Sequence, residues 1–373
     1  MKVVVTGAQG LIGWHASARL HALNCAARFK GEAEPFTLVQ LGRAAFNDPD
    51  LLHAALDGAG AVLHFAGVNR GSDAEVEQGN IAIAQTLAQG CKAADVRPCI
   101  LYANTTHAGS DTPYGRSKSA AAEILAAAAG PFTNLVLPHI FGECARPFYN
   151  NVTATLIAQL VAGETPTVNS DGRVSLLYAG SAAQTAIDAA LAGTAGDLRP
   201  AGHDISVSDL LALLQEFHAS YSANIYPDLR YPFQLALFNS YRAATYPGGW
   251  PRPLTLNTDA RGVLFEAVKG GGGGQTFLSS TQPGVTRGDH FHLHKVERFL
   301  VVQGEAIIRV RKVLGDQVWE YKVSGTAPAP VDMPTLHTHS IENVGEGPLL
   351  TLFWTHDLFD PQAPDTFADK VLT

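Results

Sequence analysis

Tyr114 and Lys118 are the first pair in this sequence with an obvious chemistry. Four positions apart on a helix, they share a face. A free phenol ionises near ~10 and is a poor proton donor at neutral pH. An ammonium beside it lowers that value, so Tyr114 reads as an acid and Lys118 as its tuner. Such a pair gives a proton to a carbonyl oxygen while hydride reaches the carbon. The hydroxyl that polarises the same oxygen is expected at Thr105, with Thr106 as the alternative.

A hydride donor needs a site of its own. Thr6-Gly7-Ala8-Gln9-Gly10-Leu11-Ile12-Gly13 follows Val3-Val4-Val5 and spaces its glycines as G-x-x-G-x-x-G. Glycines allow a tight turn and close approach of a pyrophosphate. The helix behind them offers N–H donors and a positive dipole end. The nucleotide contacts expected here are Gly7, Gly10, Leu11, Ile12 and Gly13. The next strand ends Leu41-Gly42-Arg43 with no carboxylate for a ribose 2′-hydroxyl. Arg43 suits a 2′-phosphate instead, so the expected cofactor is NADPH.

A second cluster lies far downstream: His290, His292, Glu297 and His339. On a strand, His290 and His292 point to the same side. Three imidazoles and one carboxylate suit a divalent metal such as Zn²⁺, Fe²⁺, Mn²⁺ or Ni²⁺. His294 continues the alternation and His337 is a further candidate, so the ligand set stays open at this point. The metal would either take part in catalysis or hold the domain together.

These residues need elements to carry them. Up to about residue 240, short apolar runs at Val3–Thr6, Thr37–Leu41, Ala61–Phe65, Cys99–Ala103 and Asn134–Leu137 alternate with helical stretches such as Ile81–Ala94 and Ser117–Ala129. That alternation predicts a doubly wound α/β Rossmann-type parallel sheet. Tyr246–Pro253 is rich in proline and glycine and marks the expected boundary between domains 1–245 and 246–373. Beyond it, Gly262–Val268, Gln275–Thr281, Glu297–Val302, Ala306–Val313, Trp319–Val323 and Leu349–Trp354 predict an all-β barrel or sandwich. The glycine run Gly270–Gly274 reads as a flexible loop.

Composition sets limits. At a prior of about one domain per 150 residues, 373 residues suggest two. A net charge of −8 argues against a nucleic-acid partner. The four cysteines form no C-x-x-C pair, which suggests a reducing compartment. No apolar run approaches the ~18 residues a membrane span needs. Val3-Val4-Val5 directly after Met1-Lys2 leaves no room for a signal peptide. A cytoplasmic protein without a membrane partner is expected.

Several motifs together resemble known families. The glycine spacing, His64-Phe65-Ala66-Gly67, Asn80 and Tyr114-x3-Lys118 resemble the extended short-chain dehydrogenase/reductase family over roughly the first 240 residues. That likeness implies that His64, Ala66 and Gly67 lie on the adenine side of the cofactor and that Asn80 supports the same site. Gly284-x5-His290-Phe291-His292-x4-Glu297-x6-Gly304 fits the first cupin motif. Pro334-x4-His339-x3-Asn343 fits most of the second, with Leu336 where glycine is usual.

In this order, the two halves resemble the bifunctional capsular-polysaccharide reductase/epimerase family of the CapF type. Arg146-Pro147-Phe148-Tyr149-Asn150, Asp259-Ala260-Arg261-Gly262 and Lys295-Val296-Glu297-Arg298-Phe299 carry that likeness further. It implies a cupin jelly-roll barrel holding one divalent metal, Zn²⁺ foremost, on His290, His292, Glu297 and His339. It also implies a UDP-linked 2-acetamido-2,6-dideoxy-4-hexulose as substrate, epimerised at C3 and then reduced at C4. Arg146, Asn150 and Asn151 fall where such proteins begin to bind the nucleotide-sugar. His294, Lys295 and Lys269 are candidates for moving the C3 proton, and a homodimer is the expected assembly. Three other readings use the same residues: a reductase whose barrel metal is structural, a non-catalytic nicotinamide sensor, and a reductase fused to a cupin dioxygenase that would need iron with open coordination sites. Tyr114 and Lys118 speak against the sensor.

Overall fold

The computed structural model describes residues 1–169 and 172–372. Packing divides the chain into two units. One comprises residues 1–155 and 169–207, the other 156–168 and 208–373.

The first unit is built on strands β1 (Lys2–Thr6), β2 (Thr37–Leu41), β3 (Ala61–His64), β4 (Cys99–Thr105) and β5 (Phe132–Leu137). Helices α1 (Leu11–Phe29), α2 (Pro49–Leu56), α3 (Asp73–Ala93) and α4 (Pro113–Ala128) connect them. A short side sheet joins β6 (His139–Phe141), β7 (Arg173–Tyr178) and β9 (His203–Ser206). The helix Ala179–Ala192 and strand β8 (Gly196–Leu198) complete the main layer.

That sheet runs β2-β1-β3-β4-β5-β8, parallel throughout. It is the Rossmann-type sheet that the alternation of apolar runs predicts. Parallel strands are covered on both faces, so they read as continuous apolar runs. Val3, Val5, Leu63 and Leu101 pack on one face, while Val4, Val62 and Ile100 pack on the other. The chain reverses its winding between β1 and β3, and the glycine loop stands at that switch point.

The second unit is a barrel of antiparallel strands. One sheet orders Gln275–Thr281, Leu349–Thr355, Glu297–Gln303 and Val331–Met333. The other orders Val318–Ser324, Glu305–Lys312, His337–Asn343, Thr286–Phe291 and Phe367–Ala368. This is the predicted cupin architecture. Two details differ from expectation. The strand predicted over Gly262–Val268 is confined to Gly262–Leu264, paired with Asn257–Asp259 in an exposed hairpin. Lys269–Gly270 at the head of the glycine run pairs with Ile225–Tyr226, so part of that run is strand.

Residues 208–245 pack with the barrel, and the cause is a buried carboxylate. Asp332 is fully buried and accepts from Arg298 Nε at 2.6 Å and Nη2 at 3.0 Å. It also accepts from the hydroxyls of Tyr221 at 2.6 Å and Tyr226 at 2.5 Å. Arg242, on the helix Pro232–Ala243, donates to the Met333 carbonyl at 3.0 Å. A buried charge needs this density of partners to stay in the fold.

Candidate functional sites

In the first unit, the chain leaves β1 at Thr6 and turns at Gly7 with φ +64°. A Cβ on Gly7 would stand 2.7 Å from the Ala66 nitrogen, and one on Gly13 would stand 2.2 Å from the Gly7 carbonyl oxygen. The loop, the end of β3 and the first turn of α1 therefore close on one another only as glycines. Gly10 caps α1 without a side chain. The first-turn N–H groups of Leu11, Ile12 and Gly13 have no intrahelical acceptor and can serve an anion. Arg43 is exposed just beyond β2.

His64 supports the base of this loop, and Asn80 supports the segment that follows β3. His64 is buried and its Nδ1 lies 2.7 Å from Thr6 Oγ1, which ties β3 to β1. Burial, with Lys118 second, holds its imidazolium down to about 3. Asn80 accepts from Val68 N at 2.9 Å and donates to Val68 O at 2.8 Å and Ser117 Oγ at 3.1 Å. It thereby joins the loop after Gly67 to α3 and α4. Ala66 borders the glycine loop and Gly67 lies against Asn80 Oδ1, whereas the side chains of His64 and Asn80 are struts.

Thr112 caps α4 by accepting from Gly115 N at 3.0 Å, and Pro113 takes the first helical position. Tyr114 thus lies in the first turn and Lys118 one turn later. The expected tuning differs in this structure. Burial raises the Tyr114 phenol. Lys118 Nζ donates to Ala103 O at 2.6 Å and lies 4.1 Å from the Tyr102 ring centroid. Burial pushes Lys118 itself down to about 7. Thr105 is half-buried and its hydroxyl accepts from His107 N at 3.2 Å, whereas Thr106 is exposed.

Arg146 stacks on Tyr149, with Cζ 4.8 Å from the ring centroid. Asn150 donates to Asn69 O at 2.8 Å, and Asn151 donates to Ile140 O at 2.9 Å and accepts from Ala154 N at 3.0 Å. Asn150 ties this segment to the loop after β3, and Asn151 caps the helix Val152–Val161.

In the barrel, a bulge at Asp289, φ +54°, shifts the register so that His290 pairs directly with His339. Glu297 opens its strand opposite Met333 and Thr355. Its Oε2 lies 3.0 Å from His292 Nε2, 3.2 Å from His339 Nε2 and 4.0 Å from His290 Nε2. The four predicted ligands therefore come together, with donor atoms all within 4.8 Å of one another.

The tautomers show what this cluster fits. His292 Nδ1 faces the Asp365 carbonyl oxygen at 2.5 Å, and His339 Nδ1 faces the His337 carbonyl oxygen at 3.0 Å. A carbonyl only accepts, so both Nδ1 atoms carry the proton. In neutral rings, the Nε2 lone pairs then point at a carboxylate, acceptor against acceptor. Protonating the rings is disfavoured at His339, which burial pushes down to about 4. Burial would raise Glu297, but the surrounding imidazoles hold it well below the usual carboxylate range. A cation at the centre resolves the conflict, and three nitrogens with one oxygen suit a divalent transition metal.

His290, His292 and Glu297 of the cluster line a cavity of about 620 Å³ together with Lys295, Arg287, Phe277, Phe353 and Asp357. Of the candidates for moving a proton there, Lys295 lines the cavity. His294 is exposed and Lys269 pairs with Glu266 at 3.1 Å, away from it. His337 is buried outside the ligand set, with Nδ1 2.8 Å from the Thr335 carbonyl oxygen.

Residues 3–197 match the NAD dependent epimerase/dehydratase family, and residues 257–367 match the polysaccharide biosynthesis C-terminal domain. Over its whole length the chain is 30% identical to a Pseudomonas aeruginosa protein described as UDP-2-acetamido-2,6-beta-L-arabino-hexul-4-ose reductase, covering 99% of it. The crystal structure of the capsular polysaccharide assembling protein CapF from Staphylococcus aureus matches at 30% identity and TM-score 0.59, with both chains fully covered. The chain belongs to the CapF-type reductase/epimerase family. A second CapF structure, with the inhibitor 3-isopropenyl-tropolone, matches at 28% identity and TM-score 0.54, again over both full chains.

Sequence reasoning missed two residues of this CapF-type chain. Arg70 donates to the Phe148 carbonyl at 2.7 Å and stacks on Tyr149 at 5.6 Å, giving that ring a second guanidinium. His139 Nε2 is buried without a hydrogen-bond partner among the described residues, and burial, then His107, lowers its pKa. Neither carries a spacing that would mark it. Leu336 did carry a signal. It keeps the left-handed backbone, φ +59°, of the glycine usual there, and its N–H donates to the His292 carbonyl at 2.8 Å.

Proposed function

We propose that this chain epimerises C3 of a UDP-2-acetamido-2,6-dideoxy-4-hexulose in its barrel and reduces the C4 ketone with NADPH in its Rossmann unit. The product is UDP-N-acetyl-6-deoxy-L-talosamine. The observation that carries this reading is the presence of both constellations in one chain that matches a UDP-hexulose reductase end to end.

The C4 ketone acidifies the C3 proton, so inversion at C3 needs a proton acceptor, a donor and charge stabilisation. A divalent ion, Zn²⁺ foremost, held by His290, His292, Glu297 and His339, supplies Lewis acidity. Lys295 moves the C3 proton from the cavity wall. Phe277 and Phe353 limit water in the cavity. In the other unit, bound NADPH supplies hydride, with its pyrophosphate on the first turn of α1 and its 2′-phosphate at Arg43. Tyr114 gives the proton to the C4 oxygen, and the Thr105 hydroxyl orients that oxygen. Lys118 in its charged form assists Tyr114 and the ribose. Arg146 and Arg70 face the substrate pyrophosphate. Reduction removes the ketone and with it the C3 acidity, so the second step fixes the outcome of the first.

The edge strand Gln275–Thr281 exposes Phe277 and Leu278, which supports a homodimer paired along that edge.

The test is turnover of the 4-keto substrate in D₂O with NADPH oxidation followed by absorbance and the product by NMR. Both activities predict NADPH consumption with deuterium at C3. Consumption without exchange would leave a reductase with a structural barrel. No consumption would remove this substrate class.

A further inference from the structure

The barrel cluster is closed by a piece of chain that none of its ligands belongs to. The Asp365 carboxylate accepts from three successive backbone N–H groups: Leu293 at 2.9 Å, His294 at 2.9 Å and Lys295 at 2.8 Å. These residues form the turn between His292 and Glu297. The Asp365 carbonyl accepts from His292 Nδ1 at 2.5 Å, and Lys295 Nζ donates to the Pro364 carbonyl at 2.7 Å. Asp365 holds φ +42°, a left-handed conformation a non-glycine residue keeps only when its surroundings fix it.

The following residues are fastened as firmly. Asp369 N donates to the Asp289 carbonyl at 2.9 Å, and Val371 N donates to Asp289 Oδ1 at 3.0 Å. Arg311 grips the same stretch, donating to the Lys370 carbonyl at 2.6 Å and the Val371 carbonyl at 3.0 Å. Asp289 is the bulge residue that brings His290 opposite His339. One segment therefore fixes the backbone beside His290, the turn after His292 and the tautomer of His292.

We propose that residues 364–371 are a strap that positions the metal ligands, with Asp365 as its key positioning residue. The proposal rests on the metal reading above. Asp365 does not touch the ion. It acts by holding Nδ1–H on His292, which leaves Nε2 free to bind, and by setting the 293–295 turn that spaces His292 from Glu297. Outer partners of this kind typically change metal affinity by roughly 10–100-fold.

The test uses the full chain, stripped of metal and titrated with Zn²⁺ against a competing chelator and with Co²⁺ by visible absorption. Asp365→Ala should weaken Zn²⁺ binding by about 10–100-fold and change the Co²⁺ ligand-field bands, while the metal-free melting temperature stays near wild type. Asp365→Asn, which keeps one acceptor oxygen, should recover part of both. Arg309→Ala removes ion pairs to Glu320 and Glu342 and touches no ligand, so it should leave both metal readouts unchanged. Wild-type affinity and an unaltered Co²⁺ spectrum in Asp365→Ala would overturn the strap and leave the metal reading standing. An equal loss in Arg309→Ala would reduce Asp365 to general stability. A wild-type chain that binds neither ion would overturn the metal reading and the strap with it.

Discussion

Binding of NADPH should draw a proton from solution, and Lys118 should supply the vacancy. In the free protein, burial pushes this lysine from its ordinary value near ~10.4 down to about 7. At pH 8 about nine-tenths of the molecules then carry it neutral, and at pH 6 about one-tenth. A phosphate-bearing cofactor favours the charged form and raises the value again. The sign follows directly: the bound state holds more protons, so uptake should be near ~0.9 per site at pH 8 and near ~0.1 at pH 6. Calorimetric titration in two buffers of different ionisation enthalpy reads this number from the slope of apparent enthalpy. The higher pH is decisive because a phosphate monoester, with its second ionisation near ~6, is fully ionised there in both states. Lys118→Met should abolish the slope. Absence of uptake at pH 8, proton release, or an unchanged slope in Lys118→Met would refute the reasoning.

Three other outcomes are expected. Gly13→Ala sets a methyl 2.2 Å from the Gly7 carbonyl oxygen and should eliminate measurable NADPH binding by fluorescence titration while leaving the barrel's metal affinity intact. Tyr114→Phe should lower kcat for ketone reduction by roughly 10²–10⁴-fold with little change in NADPH affinity, read by steady-state kinetics. Asp332→Asn leaves Arg298, 1% exposed, without its carboxylate and should cost about 3–5 kcal/mol in urea unfolding at fixed metal loading.

Much of the fold was legible because its signals are local. Buried parallel strands read as runs such as Val3–Thr6, and the barrel strand Gln275–Thr281 was placed to the residue. The four proposed ligands were legible for the same reason: fixed spacing along and just after three strands brings them together once the barrel closes. What escaped depends on partners far away in sequence. Nothing near Asp365 shows that it binds a turn about seventy residues upstream. Nothing near Tyr221 shows that its hydroxyl meets Asp332. The direction of the Tyr114 shift escaped for a further reason. Spacing places Lys118 on the right face of α4, but burial and the Ala103 carbonyl decide where its charge acts.

The Asp332 cluster also bears on how such a chain can be cut and joined. A break at the Pro/Gly-rich stretch would be natural by composition, yet it would separate Asp332 and Arg298 from Tyr221, Tyr226 and Arg242. The barrel would then carry a buried ion pair stripped of half its solvation. Recombination between genes therefore meets an electrostatic barrier at that stretch. The barrel, the helix Val207–Ser222 and the helix Pro232–Ala243 therefore behave as one inherited piece, joined through Asp332.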